Sequence, residues 1–211
     1  MNSGLGFVEV FDANRMPQGW ADAAFDDGAW DATQVLVAGG GGPEGRFGGA
    51  QTRPFPMLAP SQLPHMQERT CTPKHLVWAR PIGAANLPIE RMAYEEPLGP
   101  ISDDITRSER EGGWLIGAEG RAGAAMLFDF GDILAGRPQI EFEAAGGEVI
   151  DIVVSERLPG EYEPQGVAAD ARIQRHPILG LDAHVSRVVA RPGRQVFEAF
   201  EWDAVRWMQS S

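Results

Sequence analysis

The sequence predicts an all-β fold, an antiparallel β-sandwich or jelly roll with few or short helices. Three observations carry this. First, five short segments rich in Val, Ile and Phe follow one another: AAMLFDF (124–130), PQIEFEA (138–144), EVIDIVVSE (148–156), HVSRVVA (184–190) and QVFEAFEW (195–202). Second, the apolar residues alternate. Ile140 and Phe142 share one face while Glu141 and Glu143 take the other, and Ile150, Ile152 and Val154 fall together. A period of two is that of a half-buried strand. Third, 26 glycines and 16 prolines make up about a fifth of the 211 residues, which implies many turns. No long stretch shows the three- and four-residue spacing of an amphipathic helix.

Taken in order, the first part of the chain is turn and crossing segment. FDDGAW, Phe25 to Trp30, reads as one short turn capped by an aspartate. AGGGGPEGRFGGA (38–50) reads as loop. RPFPMLAPSQLP (53–64) carries four prolines and reads as an extended crossing segment. The expected organisation is a remnant of an N-terminal β domain with its crossing segment over 1–60, then a β-sandwich over 61–211, or one continuous domain. Within the sandwich, AGGE (145–148) reads as a hairpin turn and RPGR (191–194) as another. No repeat of 20–50 residues is visible.

Composition narrows the function classes. The net charge is −12, spread along the chain. Such a surface repels phosphate backbones and argues against a nucleic-acid partner. No apolar run approaches the ~20 residues of a membrane-spanning helix. The start, MNSGLGFVEV, has neither the basic region nor the apolar core of a signal peptide, which leaves the compartment open. The single cysteine, Cys71, allows no disulfide within the chain and reads as a structural thiol. His65, His75, His176 and His184 form neither an HxH nor an HExxH pattern, so no histidine metal site is expected. No other cofactor is expected, although calcium held by carboxylates near Asp103 and Asp104 remains open. AGGGGPEG lacks the lysine of a phosphate-binding loop, and there is no GxSxG.

Sugar chemistry is the class with support. There are six tryptophans. Trp20 and Trp30 flank acidic residues, and Trp114 is expected in a loop flanked by glycine. Aromatic faces stack on the C–H faces of sugar rings. Trp20 and Trp114 are the candidate carbohydrate-binding residues. Trp202 and Trp207 are five apart and would face opposite ways on a regular strand; Trp202 above all reads as packing. RSEREGGWLIGAEG (107–120) resembles an acid/base loop, with Glu109 between Arg107 and Arg110. Its possible partners are Asp103 and Asp104.

Four segments in order resemble the N-terminal β region of bacterial α-L-rhamnosidases of glycoside hydrolase family 78. GWADAAFDDGAWDAT (19–33) resembles the family's Trp…Phe-Asp-Asp-Ser-x-Trp…Ala stretch, with Gly28 in place of the serine. RPFPMLAPSQLPHMQE (53–68) is similar to the proline-rich passage that follows. LFDFGDILAGRPQIEFEAAGGEVIDIVVSERL (127–158) is similar to its Asp-Phe-Gly strand pair and next strand. FEAFEWDAVRWMQ (197–209) resembles the strand that closes the sandwich, with Ala204-Val205-Arg206-Trp207 for Gly-Phe-Arg-Tyr. The resemblance runs from about residue 7 to 209.

The resemblance implies an inverting glycosidase whose two carboxylates lie in a helical barrel following the sandwich domains. The family's catalytic motif, Asp-x-Pro-x-Arg-Asp-Glu-Arg-x-Gly-Trp-x-Gly-Asp, can be laid over Arg107, Glu109, Arg110, Gly113 and Trp114 with a one-residue gap. Ser108 then stands where an aspartate belongs, and Ala118 near the final one. This implies a non-catalytic accessory module without the catalytic barrel. Its expected partners are a rhamnose-containing glycan or that missing domain, with a homodimer through the exposed docking face as a further expectation. The alternatives are a small stand-alone glycosidase using Glu109 and Asp103/Asp104, or a scaffold module.

Overall fold

The structure is a computed structural model. It describes residues 9–34, 62–83, 96–102, 106–110, 113–116, 123–161, 164–174 and 185–211, with the backbone alone for 106–110 and 113–116. The fold is all-β, and the described residues contain no helix. The chain divides into two compact units, one of 1–16 with 71–211 and one of 17–70.

In the smaller unit Trp30 N–H donates to Asp27 O at 2.8 Å, closing a turn. Asp26 Oδ1 accepts from Gly28 N–H at 3.0 Å, so an aspartate does hold this turn. Trp30 packs on Phe25 with ring centroids 5.5 Å apart. The loop expected over 38–50 lies outside the described residues. So does the crossing segment up to residue 61.

Among the described residues the larger unit holds ten strands: β1 Glu9–Asp12, β2 His75–Ile82, β3 Thr106–Arg110, β4 Gly113–Ile116, β5 Gly123–Gly136, β6 Gln139–Ala144, β7 Val149–Ser155, β8 Val185–Val189, β9 Gly193–Glu198 and β10 Asp203–Ser210. The run β5–β6–β7 lies antiparallel to β8–β9–β10 along its length. Met126 pairs with Ser210 and Gly136 with Asp203. Gln139 then pairs with Glu198 and Ala144 with Gly193. Val149 pairs with Val189 and Val153 with Val185. The result is one long two-stranded ribbon. It rolls until β7 meets β10, with Ser155 opposite Trp207. A rolled antiparallel ribbon is the wiring of a jelly roll.

Rolling produces a six-stranded sheet, ordered β1-β8-β7-β10-β5-β2, and the separate pair β6-β9. Every pairing is antiparallel except that of β1 with β8. That edge pair joins strands far apart in sequence, so no local turn requires them to run opposite ways.

Two turns differ from expectation. AGGE does not close a hairpin, because β6 pairs with β9 while β7 pairs with β8 and β10. It is a corner at which the chain changes layer. Gly146 and Gly147 take φ of +113° and +89° there. Glu148 accepts N–H donations from Ala145 at 2.7 Å and Gly146 at 2.6 Å. RPGR makes the matching corner of the other ribbon strand, and Gly147 N–H donates to Ala190 O at 2.8 Å across the two. The segment 195–202 is likewise not one strand. Ala199 N–H still donates to Pro138 O at 2.9 Å in the β6–β9 register, but Pro138 has no N–H to return; β9 ends at Glu198 and β10 begins at Asp203.

Alternation sorts the core onto two faces of the sheet. Ala79, Met126, Phe128, Ile152, Val154, Val188 and Met208 point one way and meet Phe197, Ile140 and Phe142 of the β6-β9 pair. Phe11 of β1 packs on Phe197 with ring centroids 5.6 Å apart. Trp78, Ala125, Leu127, Val153, Val185 and Trp207 point the other way. That face is covered by connecting segments, through Leu158, Ala171, Ile173 and Leu98. β5 is therefore apolar on both sides, and five successive residues, Ala124 to Phe128, are buried.

Candidate functional site

The loop-covered face carries the candidate site. Trp78 and Arg80 sit two apart on β2, so both side chains leave the same face. Trp78 is buried, and its indole N–H donates to Ala171 O at 2.8 Å. This bond pins the segment 168–174 to the sheet. The Arg80 guanidinium lies 5.6 Å from the Trp78 ring centre, within cation–π reach. Its Nε donates to Gly99 O at 2.6 Å, and one Nη points to Asp170 O at 3.4 Å.

After β2 the chain folds back on its own edge. Gly83 N–H donates to Pro97 O at 2.9 Å and Gly99 N–H to Pro81 O at 2.8 Å. This return carries Glu96 inside, where it is 1% exposed. Arg172 holds it there. One Nη donates to the Glu96 carbonyl at 2.9 Å, and the other lies 3.8 Å from its carboxylate. Gln209 of β10 approaches the same carboxylate at 3.4 Å. Burial pushes the Glu96 carboxyl up to about 7, against the opposing pull of a Ser211 hydrogen bond and the Arg172 charge; Asp151 pushes it further up. Asp151 is itself buried and answered by Arg187 through two contacts of 2.7 Å. Burial also lowers the Arg172 pKa, Glu96 raises it, and the Arg80 charge lowers it.

Above this network opens a cleft of about 440 Å³. Arg80, Leu98, Pro159, Asp170, Arg172 and Gln174 line it. The volume falls within the range of small-molecule sites. Arg172 reaches both the cleft and the enclosed Glu96, while Glu96 does not line the cleft. The arrangement offers guanidiniums, a carboxylate and an amide for hydrogen bonding.

The residues singled out from the sequence fall elsewhere. Trp20 is half exposed in the smaller unit. Trp114 lies on β4 and not in a loop, and Glu109 is its register partner on β3, next to an irregularity between Arg107 and Glu109. Within the stretch that resembled a catalytic loop, the described residues 107–110 and 113–116 belong to an antiparallel two-stranded pair. Asp103 and Asp104 lie outside the described residues. Among the described residues, no group of three or more His, Cys, Asp and Glu side chains could hold a metal ion. No helix there is long and apolar enough to cross a membrane. Trp202, read as packing, is 69% exposed because it stands in the turn after β9; Trp207 is the one in the core. Arg80, Glu96 and Arg172 were not singled out. The alternation of Trp78 with Arg80 in HLVWARPI was the available signal for the first of them.

No family model matches the chain, and no curated protein matches it. Among solved structures, the chain is similar to the GH78 family rhamnosidase of Bacillus sp. GL1, with 22% identity and a TM-score of 0.33 over 41% of this chain and 8% of that one. It is also similar to the alpha-L-rhamnosidase from Dictyoglumus thermophilum, with 17% identity and a TM-score of 0.31 over 41% of this chain and 9% of that one. The matched part spans less than a tenth of either relative's length.

Proposed function

We propose that this chain is a non-catalytic accessory β-sandwich module of an α-L-rhamnosidase-like glycoside hydrolase, packing on a catalytic domain and binding carbohydrate. The observation that carries the reading is the order of four sequence segments resembling the sandwich region of that family. Two of them supply strands of the rolled ribbon: LFDFGD…VIDIVVS spans β5 to β7, and FEAFEWDAVRWMQ spans the end of β9 and most of β10. Trp20 and Trp114 are its stacking residues.

Two assays test this. With an aryl α-L-rhamnoside the chain gives no turnover; turnover abolished by Glu109→Gln overturns the non-catalytic reading. In calorimetric titration with L-rhamnose, binding heat falls in Trp114→Ala or Trp20→Ala. Absence of heat at millimolar sugar overturns the carbohydrate-binding part.

A further inference from the structure

The cleft differs from the rest of the surface in charge. The chain carries a net −12, yet two guanidiniums converge at this opening. They are near enough for the Arg80 charge to disfavour the protonated form of Arg172. Arg172 has an acid to answer it in Glu96. Arg80 does not: its bonds go to the carbonyls of Gly99 and Asp170, and no carboxylate among the described residues pairs with it. Carbonyls orient a guanidinium without neutralising it. The Trp78 ring below fixes it further. A positioned guanidinium with no ion-pair partner is the group that recognises a planar anion through paired N–H donors.

The other wall decides which anion. Asp170 and Gln174 line the same cleft and are exposed. A carboxylate accepts from hydroxyls, and an amide both donates and accepts. Asp170 also disfavours a doubly charged phosphate by repulsion. The set therefore suits a ligand with one negative charge and several hydroxyls, of a size for a cleft of about 440 Å³. We propose that this cleft binds an acidic sugar residue, with Arg80 taking the carboxylate and Asp170 and Gln174 the hydroxyls. The inference rests on the carbohydrate-binding reading and names a second subsite, separate from Trp20 and Trp114.

The test is titration of the whole chain with D-glucuronate and with D-glucose, which has the same ring without the carboxylate. Glucuronate is expected to bind at least about tenfold more tightly, as charge-assisted hydrogen bonds imply. Arg80→Ala is expected to erase that preference and Arg80→Lys to keep part of it. Equal binding of the two sugars overturns the proposal and needs no variant, so a poorly folding Arg80→Ala does not block the test. Acetate displacing glucuronate at equal concentration overturns it too, because the site then reads only a bare anion. L-rhamnose binding that persists without any glucuronate preference overturns this inference and leaves the carbohydrate reading standing. Failure of every sugar to bind overturns both.

Discussion

The two faces of the six-stranded sheet are covered in different ways. One meets strands: Phe197, Ile140 and Phe142 of β6-β9 close over Phe128, Ile152 and Val188. Its contacts are apolar and its cover is hydrogen-bonded into the roll. The other meets connecting segments, and it takes polar groups inside with them. Glu96, Asp151 and Gln209 are all buried on the loop side or at its margin. Buried polar groups cost free energy unless answered: Arg187 answers Asp151 between β7 and β8 within the sheet, while Arg172 and the Trp78–Ala171 bond hold the cover down. The difference teaches where a small β-sandwich keeps its rigidity and where it has room for a site. Function sits on loops placed over a rigid scaffold, and the cleft opens on the loop-covered side.

The largest expected effect breaks the strand-covered face. Phe197 is 3% exposed and joins β9, β1 and the main sheet. Phe197→Ala should cost about 3–5 kcal/mol, from lost burial and the cavity left behind. Urea denaturation followed by tryptophan fluorescence measures it. A loss below about 1 kcal/mol would mean that the β6-β9 pair contributes little to holding the roll.

The loop-covered face should respond to pH. The Glu96 carboxyl titrates at about 7 when folded, against a usual value of 4.5. The folded chain then holds a proton that the unfolded chain has lost. Stability contributed by this group is full below about pH 4.5 and falls as pH rises toward 7. The expected loss is on the order of 2–3 kcal/mol. Glu96→Gln removes the ionisation and should flatten the stability profile over that window, leaving the variant the more stable of the two at pH 8. The same denaturation series at successive pH values decides it. A profile unchanged by the substitution would place the titration elsewhere.

The same contrast explains what could be read in advance. The strand-rich half was legible because alternation is local: Ile140, Phe142, Ile150 and Ile152 announce their faces from sequence spacing alone. The roll was not, since pairing of β5 with β10 or β6 with β9 joins residues some 50 to 80 apart, and no local pattern encodes register at that distance. β2 was obscured by Pro81, which is tolerated because β2 is the last strand of the sheet. FEAFEW looked continuous, yet the ladder partner of Ala199 is Pro138, which has no N–H to give back, and β9 ends there. Trp202 thereby leaves the core and Trp207 enters it. The cleft was illegible for a different reason. It unites Arg80 with Asp170 and Arg172 across some 90 residues, and a lone arginine in a strand carries no sign of its neighbours.

The smallest effect tests the corner where the strand cover joins the six-stranded sheet. Glycine pairs with positive φ serve hairpins and corners alike, so Gly146-Gly147 was open to either reading. The corner makes unequal demands on them. A Cβ on Gly146 would lie 2.7 Å from Pro192 Cγ and 2.9 Å from its Cδ, while one on Gly147 would meet nothing within 4 Å. Both residues have φ that side chains rarely adopt, +113° and +89°. Gly147→Ala should therefore cost about 1 kcal/mol from backbone strain alone, and Gly146→Ala about 2 kcal/mol or more, because the rigid Pro192 ring cannot turn aside. In an ordinary hairpin loop no residue of RPGR would press on Gly146. Equal midpoints for the two variants would therefore count against the crossing of β6–β7 with β8–β9 at this point; a lower midpoint for Gly146→Ala is what two chains turning the same corner together require.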